Sequence, residues 1–531
     1  MLSLLTSTFS SRVALAILAG VLNVVVFPKC DFSVLAWCCL VPLLLAIDRE
    51  KSMGRAFLLG WGAGAIFFAG ACYWITTVLK NYGELGWPGA ASVFCLLVLY
   101  LASFYGLFAF FYAKVNACLP RQSWWLAPAL WVATEYGRTH LLTGFPWCLL
   151  GYSLINSPQL TPIATVTGVY GLAFLLVMVN AILARLIEWP SRRSWLCLGG
   201  VLVILFVFNF PWLPPTRRDA MPNRARIVQT NIRLDQDWSP NSRSRLLNAL
   251  SNLSLGVSPQ YGGGSEPPVT LILWPETPTP FYFNHDFEFR EQLEHIAKVA
   301  NAYFLFGFVD FREPEPGQSD GLPVNSLAVL SPSGLKLSQY DKVHLVPFGE
   351  YIPYPKLFFF VNKISTEAGN FIPGGRLTLT TLDNKHSVGA FICYEAIFPD
   401  LVRRFALEGA DVLVNVTNDA WFGDSAAPLQ HFNMARMRAI ENRRYLLRAA
   451  NDGISAVVSP YGEVLYTTKR FERTAIEGGF AWKDEQTFYT RFGDVFSWMC
   501  LGISVMAITF VEWKRRKERT RSMAGLEKRL P

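Results

Sequence analysis

Charged side chains are scarce in this sequence: Asp, Glu, Lys and Arg make up 17% of its 531 residues, against about 25% in ordinary soluble chains. Hydrophobic residues reach 52% and aromatics 14%, which excludes a disordered chain and argues against a wholly soluble one. Histidine is sparse too. The six are scattered without metal-ligand spacing, so neither a metal nor another cofactor is expected. A phosphate-binding loop is missing: Gly262-Gly263-Gly264 lacks the Lys and Ser/Thr such a loop needs, and reads as a flexible turn. No internal repeat or low-complexity tract occurs. The ten cysteines are too dilute for a disulfide scaffold. Only Cys393 falls between residues 217 and 490, so that region can hold no internal disulfide.

Apolar residues concentrate at the front. A spanning helix needs about 20 mostly apolar residues to cross roughly 30 Å of hydrocarbon. Stretches of that kind lie near 12–28, 33–47, 56–79, 90–113, 123–138, 161–186 and 194–213, with an eighth near 494–512. The second and fifth are short, and the fifth carries Glu135 and ends at Arg138. The first could be a cleaved signal peptide, but further spans follow it directly, which favours a retained helix. Buried helices of a large soluble protein are the alternative, and seven such segments in succession weigh against it.

Loops after the second, fourth and sixth stretches carry Arg49, Lys51 and Arg55; Lys114 and Arg121; Arg192 and Arg193. By the positive-inside bias these face the cytoplasm. The tail 514–531 holds eight Lys/Arg against two Glu, which accounts for most of the formal net charge of +8. A topology anchor touching anionic lipid explains it better than nucleic acid does. Both termini are then cytoplasmic. The expected organisation is a membrane bundle over 1–215, an extracytoplasmic domain over 216–490, a last span over 491–513 and a basic tail over 514–531.

Within the external part, short apolar runs recur: ARIVQT, VTLILW, YFLFGFV, NSLAVLS, SVGAFICY, DVLVNVTN and ISAVVS. They read as buried strands. Helical patterns over 285–300 and 429–447 lie between them, so a layered α/β domain with functional groups at strand ends is expected. Three strand ends carry chemistry. VTLILW stops at Trp274-Pro275-Glu276; Lys342 and Glu350 flank an apolar patch in YDKVHLVPFGEY; SVGAFI turns polar at Cys393-Tyr394-Glu395. Alone, a Glu after a strand is usually solvated, a Lys is usually at the surface, and a free Cys usually packs as a small hydrophobe. Together they supply a base, a cation and a thiol, the set that acyl transfer requires.

At these residues the chain resembles the nitrilase superfamily, whose Glu, Lys and Cys occur in that order on an αββα sandwich. With its multispan region, the chain is similar along nearly its whole length to the bacterial apolipoprotein N-acyltransferases, a membrane-bound branch of that superfamily. The motifs are WPE (274–276), HLVPFGEY (344–351), ICYE (392–395), TNDAWFG (417–423), QHFNMARMRAIENRRYLLRAANDGIS (430–455) and, in the membrane part, LTGFPW (142–147). Thr417 stands where related sequences often have Ser, a departure that puts no catalytic group in doubt.

The resemblance implies about eight transmembrane helices plus a nitrilase-like αββα domain on the periplasmic side of a bacterial inner membrane. It implies Glu276 as general base, Lys342 as cationic partner and Cys393 as nucleophile. Glu350 is implied as a supporting carboxylate orienting Lys342, with a surface loop charge as its alternative. Tyr394 and Glu395 adjoin the nucleophile and would shape the pocket, unless Tyr394 only packs. Trp238 matches an aromatic on an arm over the site, but a Trp near a membrane is equally an interfacial anchor. Glu135 and Arg138 either pair or meet a headgroup. The implied donor is a phospholipid, phosphatidylethanolamine, and the acceptor a diacylglyceryl-cysteine apolipoprotein. Two other readings use the same residues: a membrane-tethered amidase acting on a small amide, and an inactive binding module.

Overall fold

The computed structural model describes the chain except residues 1–7, 49, 84–85, 121, 210–219, 234–238, 257–268, 313–320, 357–369 and 528–531. Trp238, Gly262, Gly263, Gly264, Arg49 and Arg121, all singled out above, lie outside the described residues. Two compact units emerge. One comprises the chain to Tyr73, residues Ala91–Leu213 and everything from Asp494; the other comprises Trp74–Ala90 and Pro214–Gly493.

The first unit is helical. Its elements are α1 (Phe9–Val26), α2 (Val41–Asp48) and α3 (Met53–Ala71). A short helix α4 (Trp74–Tyr82) follows in sequence but belongs to the other unit. Then come α5 (Trp87–Cys118), α6 (Ser123–His140), α7 (Val169–Glu188) and α8 (Arg192–Asn209). Among the described residues five helices are long and apolar enough to cross a membrane: α1, α3, α5, α7 and the final helix. The expected eight are therefore not all of one kind.

Residues 33–47 do not form one span. They break into a 3-10 turn (Ser33–Trp37) and α2, and Asn180 of α7 bridges the break. Its amide donates to the Ala36 carbonyl at 2.9 Å and accepts from the Leu40 N–H at 2.7 Å. Broken helices are tolerated where a neighbour takes up the freed backbone groups. Likewise the stretch 56–79 is not one helix: α3 stops at Ala71 and α4 starts afresh at Trp74. Small residues let the helices approach. A Cβ on Gly64 would lie 2.8 Å from Tyr105 Cβ, and one on Gly20 2.7 Å from the Ala63 carbonyl.

The second unit holds two six-stranded sheets. One runs β12-β1-β2-β3-β4-β5 and the other β11-β10-β9-β8-β7-β6. Their ranges are β1 Asn223–Gln229, β2 Val269–Leu273, β3 Tyr303–Arg312, β4 Leu322–Leu330, β5 Lys336–Asp341 and β6 Leu379–Leu382. The remaining six are β7 His386–Ile392, β8 Val412–Thr417, β9 Leu446–Ala450, β10 Ala456–Val458, β11 Val464–Thr467 and β12 Thr474–Phe480. The central pairs β1–β2, β2–β3, β7–β8 and β8–β9 are parallel, and the outer ones antiparallel.

Side-chain alternation makes the layers. In the first sheet Ile227, Leu271, Leu273, Leu305 and Leu327 face the shared core, where they meet Val388, Ile392 and Val414 of the second. Their sequence neighbours Val228, Ile272, Phe304, Phe306 and Ala328 face outward onto helices α9 (Pro240–Leu255) and α10 (Phe287–Ala300). Helices α11 (Pro399–Leu407) and α12 (Ala427–Asn442) pack through Val402, Phe405, Phe432 and Ala439 on the core that includes the second sheet. The architecture is the αββα sandwich the resemblance implies. The helical pattern expected over 429–447 is shorter: α12 ends at Asn442, Arg443 takes a left-handed φ of 50°, and β9 begins at Leu446. The last helix, α13 (Val495–Glu527), returns to the helical unit.

Candidate active site

The inner strands of both sheets end in turns that carry the polar groups. At the end of β2 the indole of Trp274 is buried and donates to Ser254 Oγ at 2.9 Å, which fixes where the strand stops. Glu276 follows, 6% exposed. Its Oε1 accepts from the Asn325 amide at 2.8 Å and from Lys342 Nζ at 3.3 Å, while Oε2 accepts from the Asn418 N–H at 2.9 Å. Thr277 turns the chain with a φ of 41°, and β3 passes so close that Gly307 alone fits there. A Cβ at that position would lie 2.7 Å from Glu276 Cα and 2.9 Å from both Pro275 O and Thr277 N.

Lys342 is the first residue beyond β5, and its side chain is fully buried. Its ammonium donates to Glu350 Oε1 at 2.8 Å as well as to Glu276. Burial on its own would lower the lysine's pKa, but Glu350, Glu276 and the nearby Cys393 outweigh it and raise the value. Glu350 is thus no free surface charge. Its Oε1 also accepts from Asn325 at 2.8 Å, and its Oε2 takes the Val346 N–H at 2.7 Å. Asn325 therefore spans both carboxylates with one amide nitrogen. It went unnoticed in NSLAVLS, although a lone Asn in an apolar strand is itself a signal, because a buried amide must find partners.

Cys393 is the residue at which β7 ends and a 3-10 turn (Cys393–Ile397) begins. Its φ of 48° is unusual for a residue with a Cβ and typically costs about 1–3 kcal/mol. Burial pushes the thiol's pKa well above its usual value, and Glu276 and Asp419 push the same way. Lys342 opposes them. The resting sulfur is protonated, beside a carboxylate that is already ion-paired.

Glu395 lies on the same 3-10 turn as Cys393. It is fully buried and braces the elbow: Oε1 accepts from Tyr340 Oη at 2.7 Å and from the N–H groups of Val343 and His344 at 2.8 and 3.1 Å, and Oε2 accepts from the Ile392 N–H at 2.7 Å. Burial raises its pKa against those donors. The segment after Lys342 is thereby tied to the turn of Cys393. Tyr394 is buried and meets Phe398 edge-on with ring centroids 5.3 Å apart.

A second polar layer lies beneath Cys393. His431 on α12 reaches the Cys393 carbonyl with Nε2 at 3.0 Å, while Nδ1 lies 3.2 Å from both Asp419 Oδ1 and Arg448 Nη2. Burial and Arg448 hold its pKa below the imidazole's ordinary value. The ring is therefore neutral with its proton on Nε2, since a carbonyl can only accept. Arg448 Nη2 donates to Asp419 Oδ2 at 2.9 Å. Despite burial, Arg448 and the Thr417 hydroxyl keep Asp419 well below the carboxylate range. Thr417 Oγ1 donates to Asp419 Oδ1 at 2.9 Å, so the departure at Thr417 falls on a side chain that belongs to this layer. Sequence reasoning singled out the 417–423 and 430–455 motifs without seeing this layer. Among the described residues no group of His, Cys, Asp and Glu could hold a metal ion.

Glu135 and Arg138, in the helical unit, do other work. Arg138 Nη1 donates to the carbonyls of Phe145 and Trp147 at 2.9 and 2.7 Å, and Glu135 Oε1 accepts from the Leu150 N–H at 2.8 Å. Both hold the backbone of the segment 145–150, and among the described residues the two form no ion pair with each other.

Comparison with known proteins places these features. Residues 19–182 match the model of the apolipoprotein N-acyltransferase N-terminal domain, and residues 224–479 match that of the carbon-nitrogen hydrolases. An apolipoprotein N-acyltransferase of Geobacter metallireducens is 37% identical over 513 residues, covering 93% of this chain and 94% of its own. One of Methylococcus capsulatus is 32% identical over 508 residues, covering 94% and 96%. Among solved structures, a mutant of the Nesterenkonia AN1 amidase from the nitrilase superfamily aligns with a TM-score of 0.36 at 20% identity, over 49% of this chain and 91% of that one.

Proposed function

This chain belongs to the apolipoprotein N-acyltransferase family, and from that premise we propose that it moves an acyl chain from a phospholipid, through a thioester on Cys393, to the α-amine of a diacylglyceryl-cysteine apolipoprotein. One observation carries the assignment of roles: Glu276, Lys342 and Glu350 share a buried hydrogen-bonded cluster, and of these Glu276 and Lys342 bear on the Cys393 thiol. The five apolar helices suit an enzyme whose substrates both reside in a bilayer.

The thiol starts protonated. As the ester carbonyl approaches, Glu276 takes the Sγ proton while sulfur forms a bond to the carbonyl carbon. Lys342 and the N–H after the nucleophile face the negative charge on the oxygen, a contribution of about 2.7–4 kcal/mol per donor. Collapse breaks the ester C–O bond, and Glu276 returns the proton to the departing lysophospholipid alkoxide. In the second half the acceptor's neutral amine attacks the thioester, its proton passes to Glu276, an amide forms, and Sγ leaves to be reprotonated. Phosphatidylethanolamine is the donor we propose. The same reading puts the α/β domain on the periplasmic side and both termini, with the basic tail, in the cytoplasm.

The test uses purified full-length protein. Incubation with phosphatidylethanolamine alone should place one acyl group on Cys393 and on no other cysteine, read by peptide mass spectrometry. Replacing Cys393 with Ala should abolish the adduct and the N-acylation of a diacylated lipopeptide. Full N-acylation by that variant would overturn the mechanism. Hydrolysis of a small amide with no adduct and no lipopeptide product would establish the amidase reading instead.

A further inference from the structure

Helix α4 sits in sequence between two apolar helices, yet residues 74–90 pack with the α/β unit. It grips the turn Asp419–Phe422 at two points. Trp74 meets Phe422 edge-to-face with ring centroids 4.9 Å apart, and Tyr82 meets Trp421 in the same way at 4.7 Å. The two gripping residues are separated by about 12 Å along the helix, so the turn is held against rotation as well as displacement.

That turn leads directly to the reacting groups. It is capped by Asn418, whose N–H donates to Glu276 Oε2 at 2.9 Å. The Asn418 side chain accepts from the Ala420 N–H at 3.2 Å and from the Asn451 amide at 3.0 Å, so the backbone at 418 moves only with the turn. At the far end the ring of Phe422 lies 6.0 Å from that of His431, the side chain beneath the Cys393 carbonyl. Trp421 remains 39% exposed, so Tyr82 supplies much of what holds it.

We propose that α4 is a positioning element of the catalytic site: by holding Trp421 and Phe422 it keeps the Asn418 N–H on Glu276 and so fixes the aim of that carboxylate at the Cys393 thiol. The proposal rests on reading Glu276 as the base. It gives a function within the α/β unit to a helix whose sequence reads as the end of a membrane span.

The experiment follows alkylation of Cys393 by iodoacetamide across pH, in the full chain in detergent, with the modified peptide quantified by mass spectrometry. Neither lipid nor acceptor is needed. Trp74→Ala and Tyr82→Ala should each slow alkylation roughly three- to tenfold, the strength of one aromatic pair, and move its pH profile towards that of Glu276→Gln. Tyr82→Phe, which keeps the ring, should restore the rate. Combined with Glu276→Gln, neither alanine variant should cost anything further. Alkylation at the wild-type rate in Tyr82→Ala, or an equal loss in the Glu276→Gln background, would overturn the proposal. Should Trp74→Ala fail to fold, Tyr82→Ala decides alone, since that side chain is only half-buried. If Glu276→Gln itself alkylates normally, the assignment of the base fails, and this proposal fails with it. If Glu276→Gln is slow and Tyr82→Ala is not, the proposal alone fails.

Discussion

Both units of this protein bury ionisable side chains, and they satisfy them differently. In the helical unit Glu135 and Arg138 stand nearly one turn apart on α6, yet each is committed to backbone groups of the loop that follows. In the α/β unit Glu276, Lys342 and Glu350 are bonded chiefly to one another and to Asn325. A charge committed to backbone amides and carbonyls is a fastening: it cannot change state without releasing the chain. A charge held by other titratable groups can gain or lose a proton while its neighbours compensate. The first arrangement holds a loop. The second suits the proton transfers proposed above.

Lys342→Met tests that distinction most severely. It removes the cation between two carboxylates and leaves them facing each other in a buried site. We expect N-acylation to fall by at least about 10³-fold, the upper range for loss of one oxyanion donor. Steady-state turnover of a lipopeptide measures it, and near-normal turnover would mean that the cluster is structural after all.

Arg138→Gln probes the other side. Two buried carbonyls lose their donor, at about 1–3 kcal/mol each, so the thermal midpoint in detergent should drop markedly. The rate of Cys393 alkylation per folded molecule should stay at the wild-type value. A slowed alkylation with an unchanged midpoint would erase the contrast between the two units.

Gly307→Ala asks how finely the catalytic arrangement is set. The added Cβ meets only backbone atoms around Glu276, which cannot swing aside as a flexible side chain would. A displacement of about 1 Å at a reacting group can cost about 10²-fold in rate. We expect that loss in kcat with little change in KM for the lipopeptide.

Much of this was legible beforehand, and the gaps have physical causes. The seven apolar runs all fall on strands, because inner strands must be hydrophobic to be buried. Strands such as KLSQYD of β5 and LTTL of β6 were invisible because they close the sheet edges and carry polar side chains. β9 hid within an apparent helix because LLRAA, with the buried Arg448, has no alternation to betray it. The ends of β2 and β7 were legible because an apolar run stopping at Glu276 or at Cys393 is conspicuous, and Lys342 because it flanks an apolar patch. Asn325, His431 and Gly307 were not. Each acts through distance to a residue far away in sequence, and only the fold supplies that distance. The stretch 33–47 was misjudged as one helix for a related reason: composition cannot tell a continuous helix from one whose break is mended by Asn180.

Asp452 fits neither pattern and sharpens both. It is buried, its Oδ1 has no hydrogen-bond partner among the described residues, and its nearest cation, Arg470, is 3.8 Å away. Burial, together with the charge of Asp419, raises its pKa to about 6, with Arg470 opposing. An unfolded aspartate titrates near 4, so between roughly pH 4 and 6 the folded chain holds a proton that the unfolded chain has lost. Stability from this group is therefore fullest below that window and declines as pH rises through it. Above it, the native state carries a poorly compensated charge at a cost on the order of 3 kcal/mol. Asp452→Asn should raise the thermal midpoint at pH 8 and leave it unchanged at pH 4, measured by unfolding of the full chain in detergent. Equal midpoints at pH 8 would mean that Arg470 compensates this carboxylate as fully as backbone amides do in the helical unit.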